Sequence, residues 1–475
     1  EDGAVAVWGG VTENDGIAAQ FNYETGWESL AVDAAGSMYL TGRFQSSVDF
    51  NASPTGATIM TADSTAGCTH QSFVMKLDLF AEPYWAGQFG NDVSNSSCGV
   101  YPRSIAVDGN GNVYTTGTFH LGPVDFDPGA GVANLVNIGS STKVAFVSKL
   151  NSSGEFVWAY RIGSENVPGE LHDGALLGEA HANSVAADGA GNVYVLGTFW
   201  GSTSFQHAAG VTTLNSSRSE QARPDTFILK LNSSGEQVWL RQIEAPTGNR
   251  VMTPLSVAVD GSGNVYTAGD VGGGSTIDFD PSEGVANLTV STAGQNAGND
   301  VWILKLDSAG NYVWAKNFGS VAGMFSFSRG EAVAVDSSDN VYITGEFTGT
   351  VDFDPGPGTA NLTASNNNKT FVLKLDSSGN LVWVKQIGSR TVTSIALDSS
   401  GNVYTTGDFN GTADFDPGAG TTNLTQNGGG YDAFVSKLDS SGDLVWAKSF
   451  GGGETEESLS VAVDSSGNAY TTGRV

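Results

Sequence analysis

One phrase recurs along the chain and constrains its fold more than any other feature. It consists of a short apolar run that ends in aspartate, a glycine- or serine-rich turn, and a second run in which tyrosine is followed three residues later by glycine. The copies lie roughly 60 to 80 residues apart, a period typical of repeat architectures. They begin near residues 29, 104, 184, 256, 332, 394 and 460. Because the repeat runs from end to end, we predict one domain over residues 1–475.

Each copy is predicted to contain four short strands. The first ends in the aspartate and the second carries the tyrosine and glycine. The third ends in Lys-Leu, as at Lys437, and the fourth carries a tryptophan, as at Trp446. Turns this short require antiparallel neighbours. Apolar residues on both faces favour a sheet packed between two similar sheets, which is the blade of a β-propeller.

The two ends of the chain complement each other. Residues 3–10 match a fourth strand, including Trp8, and residues 460–475 match a first and a second strand. The sequence therefore predicts an all-β, seven-bladed β-propeller of four-stranded antiparallel blades, closed where the N-terminal strand joins the C-terminal strands. An open solenoid is the alternative. The last blade lacks a third strand, so the natural chain continues, the blade has three strands, or a partner donates one.

The composition excludes two classes of partner. The chain carries 50 acidic and 21 basic residues, a net charge of −29. Such a surface repels nucleic acid and anionic membranes. No apolar run approaches the ~20 residues of a membrane helix, so no membrane insertion is expected. Cations, or solubility in salty surroundings, are the expected reason for the acidity.

Two cysteines, Cys68 and Cys98, lie within the territory of the first copy. A disulfide between them would suit an oxidising compartment outside the cell. Two free buried thiols are the alternative.

One tryptophan per copy invites two interpretations. The residues could form a carbohydrate-stacking ladder, or they could pack between blades. A position on the outer strand of every copy favours the structural interpretation. The residues are Trp8, Trp85, Trp158, Trp239, Trp314, Trp383 and Trp446.

An Asp-Phe-Asp-Pro segment recurs between the second and third strands and is the best candidate for a metal site. In an extended segment both carboxylates point the same way, and oxygen ligands in a flexible loop suit Ca²⁺. The alternative is that the aspartates cap a turn. The third copy has Ser204-Phe205-Gln206 instead, and any such property should be absent there. The predicted calcium ligands are Asp125, Asp127, Asp278, Asp280, Asp352, Asp354, Asp414 and Asp416.

Catalytic signatures are scarce. The sequence has no His-Glu-x-x-His, Gly-x-Ser-x-Gly, Walker or Cys-x-x-Cys motif. His172, Asp173, Glu179 and His181 lie close in sequence and could bind a transition metal, or could simply form a polar surface loop. We therefore expect no enzyme.

The ordered motifs Val-Asp-x-x-Gly-Asn-Val-Tyr-x-Thr-Gly, Asp-Phe-Asp-Pro, Phe-Val-x-Lys-Leu-Asp and Val-Trp cover nearly the whole chain. Together they resemble the SBBP-type β-propeller repeat of secreted and surface-anchored bacterial proteins. The resemblance implies a surface location and a binding or structural role, and it carries over no catalytic residue.

The expected function is a non-catalytic extracellular or cell-surface module for structure, adhesion or recognition, stabilised by calcium. Its partner would be a protein or a glycan on a loop face, or a second copy of itself. One alternative is a subunit of an extracellular filament or sheath assembled through the incomplete seventh blade. Another is a propeller enzyme that acts on glycans, with two carboxylates facing each other in a cleft.

Overall fold

The regular structure of the chain is β-strand, and the described residues contain no helix. No helix within them could therefore span a membrane. The computed structural model describes residues 4–9, 25–44, 47–50, 59–61, 71–90, 99–120, 122–137, 143–163, 178–207, 210–217, 223–245, 251–272, 274–290, 299–320 and 327–474.

The chain divides into two compact units. The first comprises residues 5–242 and 474, and the second comprises residues 1–4, 243–473 and 475. One domain over residues 1–475 stays a prediction.

The strands up to residue 243 follow one another at short intervals. In chain order they are β1 (Ala4–Gly9), β2 (Thr25–Val32), β3 (Met38–Phe44), β4 (Ser47–Asp49), β5 (Ile59–Thr61), β6 (Gln71–Leu77), β7 (Pro83–Phe89), β8 (Gly99–Val107), β9 (Val113–His120), β10 (Gly122–Asp125), β11 (Asn134–Asn137), β12 (Lys143–Leu150), β13 (Phe156–Ile162), β14 (Ala180–Ala187), β15 (Val193–Phe199), β16 (Ser202–His207), β17 (Gly210–Asn215), β18 (Asp225–Leu231) and β19 (Gln237–Ile243).

The second unit continues the same succession. Its strands are β20 (Met252–Val259), β21 (Val265–Gly272), β22 (Thr276–Asp278), β23 (Asn287–Thr289), β24 (Asn299–Leu306), β25 (Tyr312–Ser320), β26 (Phe327–Val335), β27 (Val341–Asp352), β28 (Asn361–Leu375), β29 (Leu381–Ile387), β30 (Thr391–Leu397), β31 (Val403–Phe409), β32 (Thr412–Asp414), β33 (Asn423–Thr425), β34 (Asp432–Leu438), β35 (Leu444–Phe450), β36 (Glu457–Val463) and β37 (Ala469–Arg474).

Sets of four strands pair in the order predicted. In the first unit the sets are β2-β3-β6-β7, β8-β9-β12-β13 and β14-β15-β18-β19. In the second unit they are β20-β21-β24-β25, β26-β27-β28-β29 and β30-β31-β34-β35, and β36 pairs with β37. The all-β, propeller-like fold with antiparallel sheets is thereby confirmed. Seven blades and ring closure stay predictions.

A two-stranded hairpin lies between the second and third strands of each complete set, an element that the sequence did not predict. In the four copies that carry it, the Asp-Phe-Asp-Pro segment leads into the turn of this hairpin. The hairpins are β4-β5, β10-β11, β16-β17, β22-β23 and β32-β33, and in the fifth copy the far ends of β27 and β28.

The hairpins of the second, third, fifth and sixth copies extend the fourth strand of the preceding copy. The Gly90 N–H at the end of β7 donates to the Asp125 carbonyl at 2.9 Å, and the Gly388 N–H after β29 donates to the Asp414 carbonyl at 2.8 Å. Strand β13 likewise pairs with β16, and β25 with β27. The hairpin therefore links neighbouring copies through backbone hydrogen bonds.

The phenylalanine at the centre of each hairpin motif completes the core. Phe126 is fully buried. Its ring centroid lies 5.2 Å from that of Phe89 in the preceding copy, and 5.8 and 4.8 Å from those of Phe119 and Phe146 in its own copy. Phe353 is placed in the same way against Phe318, at 6.2 Å. The motif thus buries an aromatic ring between two sheets.

A bulge marks the pairing of the first with the second strand in each of the six complete sets. One extra residue interrupts the register just before the recurring serine or alanine, as at Arg103 between Pro102 and Ser104. The bulge brings the Tyr101 carbonyl so close to Gly117 that an added Cβ would overlap it. The recurring glycine of the second strand is therefore required by this close backbone approach.

Candidate functional site

The paired aspartates of the hairpins accept hydrogen bonds from their own turn. Asp125 Oδ1 accepts from the N–H groups of Asp127 at 3.0 Å and Ala133 at 2.8 Å, and Asp127 Oδ1 accepts from the Gly129 N–H at 2.8 Å. The other three pairs repeat this pattern at Asp278 and Asp280, Asp352 and Asp354, and Asp414 and Asp416.

These hydrogen bonds give the aspartates a role in the turn whether or not a cation is bound. Across the part of the chain that the structure describes, no three His, Cys, Asp or Glu side chains come together as metal ligands. Calcium at the eight hairpin aspartates stays a prediction.

The aspartate that ends each first strand forms a hydrogen-bonded cluster. Asp108 Oδ1 accepts from the N–H groups of Asn110 and Asn112, and Oδ2 accepts from the Tyr114 hydroxyl at 2.9 Å. Burial opposes ionisation of Asp108, but the donors of Asn112 and Tyr114 outweigh it and lower the carboxyl pKa. In all seven copies the tyrosine–aspartate distance is 2.9–3.2 Å.

The lysine of the third strand and the tryptophan of the fourth join copies together. Lys149 lies 5.2 Å above the Tyr114 ring, and its ammonium donates to the Ser233 carbonyl in the following copy at 2.9 Å. The Trp158 indole N–H donates to the same carbonyl at 3.1 Å. Trp85, Trp314 and Trp383 make the equivalent bond, at 3.1, 3.1 and 3.2 Å.

The remaining tryptophans differ or lie outside the description. Trp239 is buried. The Trp446 indole N–H has no hydrogen-bond partner among the described residues. The side chain of Trp8, on β1, lies outside the described part of the structure.

Several other predicted residues also lie outside the described residues. They include both cysteines, Cys68 and Cys98, together with His172 and Asp173. Of the proposed metal cluster, Glu179 and His181 are described. Their carboxylate and imidazole Nε2 are 2.9 Å apart, an ion pair when the imidazole is protonated.

The chemistry that differs between copies lies at one end of the sheets. We define the variable row as the second-strand residue after the recurring glycine, the first-strand residue opposite it, and the bulged residue. Opposite pairs are Tyr101 and Thr118, His181 and Thr198, Thr253 and Asp270, Arg329 and Glu346, and Thr391 and Asp408. The bulged residues are Glu28, Arg103, Asn183, Leu255, Glu331 and Thr393.

In the first unit the variable row is aromatic and cationic. Arg43 donates to Glu28 Oε1 from Nη2 at 3.0 Å and lies 5.2 Å above the Tyr101 ring. The Tyr101 ring lies 5.2 Å from that of His120. Burial, followed by repulsion from Lys143, lowers the pKa of His120. The imidazole is therefore neutral at physiological pH.

In the first unit a second residue of the variable row, His181, contacts an aromatic ring just outside the row. The His181 ring lies 5.0 Å from the Trp200 indole, edge to face. Flat aromatic and imidazole faces with hydrogen-bonding edges suit a ligand that is apolar on one face and polar at its rim.

In the second unit the row is a network of charges. Arg329 Nε lies 3.5 Å from Asp270 Oδ1 and 3.0 Å from Glu331 Oε1. Burial, partly offset by Arg329, raises the pKa of Glu331 to about 7. Burial also raises the pKa values of Asp270, Glu346 and Asp408. Four carboxyl groups therefore face two arginines in a poorly solvated row.

A polar cleft adjoins this network. Arg390 donates to Asp408 Oδ2 at 2.7 Å and lies 4.2 Å above the Tyr431 ring. The cleft has a volume of ≈ 400 Å³, which lies within the range typical of ligand sites. Its lining is mostly polar, with hydroxyls, amides and two cations beside Gly388: Thr348, Asn368, Lys369, Arg390, Asn410 and Thr412.

Sequence reasoning missed the variable row because it searched for residues that recur. The signal was present as the position after the recurring glycine, which reads Arg43, Thr118, Thr198, Asp270, Glu346, Asp408 and Arg474 along the chain. This position, next to the recurring glycine, is positive in two copies, neutral in two and negative in three, so the repeat does not restrict it to one kind of residue.

Comparisons with known proteins agree with the repeat. The family described as SBBP, beta-propeller repeat, matches residues 85–118 and 382–416. The chain is 23% identical over 456 residues to the uncharacterized WD repeat-containing protein L264 of Acanthamoeba polyphaga mimivirus, covering 86% of this chain and 31% of that protein. It is 25% identical over 179 residues to the regulatory protein FlaEY of Caulobacter vibrioides, covering 35% of this chain and 17% of that protein. The chain thus spans less than a third of the length of either relative.

The solved structures that match the chain share little sequence with it. A protein of unknown function from Bacteroides caccae is 10% identical with a TM-score of 0.34, over 80% of this chain and 90% of that chain. A PL25 polysaccharide lyase, an ulvan lyase, is 11% identical with a TM-score of 0.40, over 90% and 85%. Likenesses at these TM-scores carry no argument about function. The SBBP beta-propeller repeat model thus matches the chain at two places, residues 85–118 and 382–416, in agreement with the resemblance of its motifs to that repeat.

Proposed function

We propose that the chain is a non-catalytic, extracellular or cell-surface β-propeller that recognises a glycan through the variable row. The observation that supports this proposal is that the residues that hold the copies together differ from those that vary between copies. The recurring aspartate, tyrosine, lysine and tryptophan are engaged in contacts within and between copies. The row is where charge and aromatic character change from copy to copy.

A glycan suits the chemistry of the row and of the adjoining cleft. Sugar hydroxyls both donate and accept hydrogen bonds. Asn368, Asn410 and Thr412 offer such partners in the cleft, and Lys369 and Arg390 add positive charge there. In the other unit, Tyr101 and Trp200 provide aromatic faces. The ligand preferred by the cleft should carry carboxylate or sulfate groups.

The test is binding of purified protein to an array of neutral and acidic glycans, followed by calorimetry with the best ligand. Lys369→Ala should weaken binding about tenfold, the loss of one charge-assisted hydrogen bond of ~1.4 kcal/mol. Lys385→Ala removes the same charge from the same copy, at a site on β29 where Lys385 pairs with Asp443. Equal affinity of both variants, or no binding to any glycan, would overturn the proposal.

We further propose that the blades number seven and close into a ring. The ion pair between Arg474 on the last strand and Glu28 on β2, at 3.4 Å, supports this closure. A compact chain of this length has a radius of gyration of about 23 Å. Small-angle scattering should give a value near this, whereas an open stack of copies would give a distinctly larger one.

The repeat, which is typical of surface proteins, supports an exterior location. Protease treatment of intact cells of the source organism, probed with an antibody to the chain, tests it. Digestion of the chain while a cytosolic marker stays intact is the expected result. Protection of both proteins would place the chain inside.

A glycan-acting enzyme is the second candidate, and Glu331 favours it. Its carboxyl group has a pKa of about 7 and adjoins Arg329 in the buried row. It could therefore donate a proton at neutral pH as a general acid. Release of reducing ends from a polysaccharide panel, lost in Glu331→Gln but retained in Glu457→Gln, would establish this activity. Inactivity on the whole panel would exclude it for those substrates.

Filament assembly and calcium binding at the hairpins are two further predictions, and each has a separate test. Assembly into a filament through the incomplete seventh blade would appear in electron micrographs and in sizing of purified protein. A strictly monomeric species would contradict such assembly.

Calcium at the hairpins predicts a higher melting temperature with Ca²⁺ than with chelator. That increase should shrink in Asp414→Asn.

A further inference from the structure

Two carboxylates outside the variable row are buried side by side in the sixth copy. Asp432 begins β34 and is fully buried, and Glu456, just before β36, is 6% exposed. The Glu456 N–H donates to the carbonyl of Tyr431 at 2.8 Å, so the two acidic residues are held next to each other by the backbone.

Each carboxylate has one oxygen bonded and one without a partner. Asp432 Oδ2 accepts from the Asn427 N–H at 3.0 Å, and Glu456 Oε1 accepts from the Gly452 N–H at 3.1 Å. Asp432 Oδ1 and Glu456 Oε2 are buried and accept no hydrogen bond from any described residue. No lysine, arginine or histidine among the described residues pairs with either carboxylate.

The third copy shows how the same position is satisfied without a ligand. Asp225, which begins β18, is also fully buried. It accepts from the Ser217 N–H at 2.8 Å, the Ser217 hydroxyl at 2.9 Å and the Gln242 amide at 2.7 Å. In the sixth copy Ser449 stands where β19 has Gln242, and Glu456 adds a second negative charge.

Two buried carboxylates with open oxygens are costly unless a cation or a proton neutralises them. Burial, with the charges of Asp432 and Glu454, raises the pKa of Glu456. The surroundings offer further oxygen atoms, because Gly428 lies against the Gly452 carbonyl and Gly430 against the Glu454 carbonyl. All these ligands are oxygens, and the loops are glycine-rich and able to adjust. This suits Ca²⁺ better than Mg²⁺, which demands a strict octahedron.

We propose that Asp432 and Glu456 bind a calcium ion, with backbone carbonyls of the glycine-rich loops 427–431 and 451–455 completing its shell. The ion joins the start of β34 to the segment that leads into β36. The site is distinct from the hairpin aspartates, and it does not depend on the proposed recognition of glycans.

The test uses the full chain with Ca²⁺ in calorimetry and Tb³⁺ in luminescence. Tyr431 is adjacent to Asp432 in sequence and should sensitise Tb³⁺ emission. We expect a site, separate from any at the hairpins, whose affinity falls at least tenfold in Asp432→Asn and in Glu456→Gln. Tyr431→Phe should dim the emission without changing the affinity.

Two controls separate this site from others. Asp225→Asn removes the equivalent buried carboxylate of the third copy, and Asp414→Asn removes a hairpin carboxylate. Both should leave the affinity of this site unchanged. If Asp432→Asn fails to fold, the test rests on Glu456→Gln, because Glu456 lies in a segment outside the sheet. Absence of Ca²⁺ binding, or binding insensitive to Glu456→Gln, overturns the proposal and leaves a shared proton as the neutralising charge.

Discussion

Single residues in this chain illustrate how one side chain can serve several groups. Asp108 caps the turn with one oxygen and holds the Tyr114 hydroxyl with the other. The hydroxyl also donates to the Gly191 carbonyl of the following copy, at 3.3 Å. A tyrosine in the core thus connects two copies through its polar end.

Tyr114→Phe should lower the free energy of unfolding by about 1 kcal/mol, because Asp108 loses a buried donor. Urea denaturation measures the loss. Tyr160→Phe is the matched control, since that hydroxyl makes one long bond of 3.4 Å to Gln237. Equal losses in the two variants would contradict the assignment.

Tyr114→Phe should also change the pH at which stability is lost in acid. The pKa of Asp108 is lowered in the folded chain, so its contribution is present above the unfolded pKa and is lost as pH falls through the folded value. Without the tyrosine donor the folded pKa rises, so stability should begin to fall at a higher pH. Melting temperatures between roughly pH 2 and 5 test this.

The contribution of Glu331 to stability depends on pH in the opposite direction. Its folded pKa of about 7 lies above the unfolded value. Its favourable contribution is therefore full below the unfolded pKa of about 4.3 and is lost as pH rises towards 7. Glu331→Gln should stabilise the chain at pH 8 by on the order of 1–3 kcal/mol and have little effect at pH 4. Glu457→Gln, at an exposed site, should leave both stabilities unchanged.

At the scale of elements, the hairpin is the part that determines how copies join. It supplies a backbone hydrogen bond to the preceding fourth strand and inserts a phenylalanine beside it. The turn that connects its strands is held by the two aspartates. A short excursion from the sheet therefore serves as the linkage between sheets.

Phe126→Ala should cost about 3–5 kcal/mol, the usual loss for a large buried aromatic side chain. The expected signature is a lower denaturation midpoint. Phe80→Ala, at a position that is 62% exposed, should change stability by less than about 0.5 kcal/mol. A small loss at Phe126 would mean that the hairpin detaches at little cost.

Sequence reasoning reached the four strands because their signals are local: alternating apolar residues, short turns and one invariant residue per strand. It missed the hairpins because strands of three residues, such as β32 and β33, carry too little pattern. It identified the recurring glycine, Gly117 among them, but not the bulged residues such as Arg103 and Glu331. Asp432 lies on β34 and Glu456 in the segment before β36, and the two share no motif, so only the fold could pair them.

At the scale of the whole molecule, the net negative charge opposes folding into a compact state. The net charge of −29 is spread over a chain with few basic residues. Mutual repulsion destabilises the folded state at low ionic strength.

The melting temperature should therefore rise between 10 mM and 500 mM NaCl, as the screening length falls from roughly 30 Å to under 10 Å. Differential scanning fluorimetry measures the change. A neutral osmolyte at equal osmolarity is the control for effects other than screening. A melting temperature that does not respond to salt would show that repulsion is locally balanced.

The indole of Trp158 lies over Gly235 and donates to the turn of the following copy. Trp85, Trp314 and Trp383 are placed in the same way. Each of these rings therefore responds to the departure of its neighbour by gaining water on one face. Fluorescence of variants that each retain a single tryptophan would reveal whether the copies separate in one step or one after another.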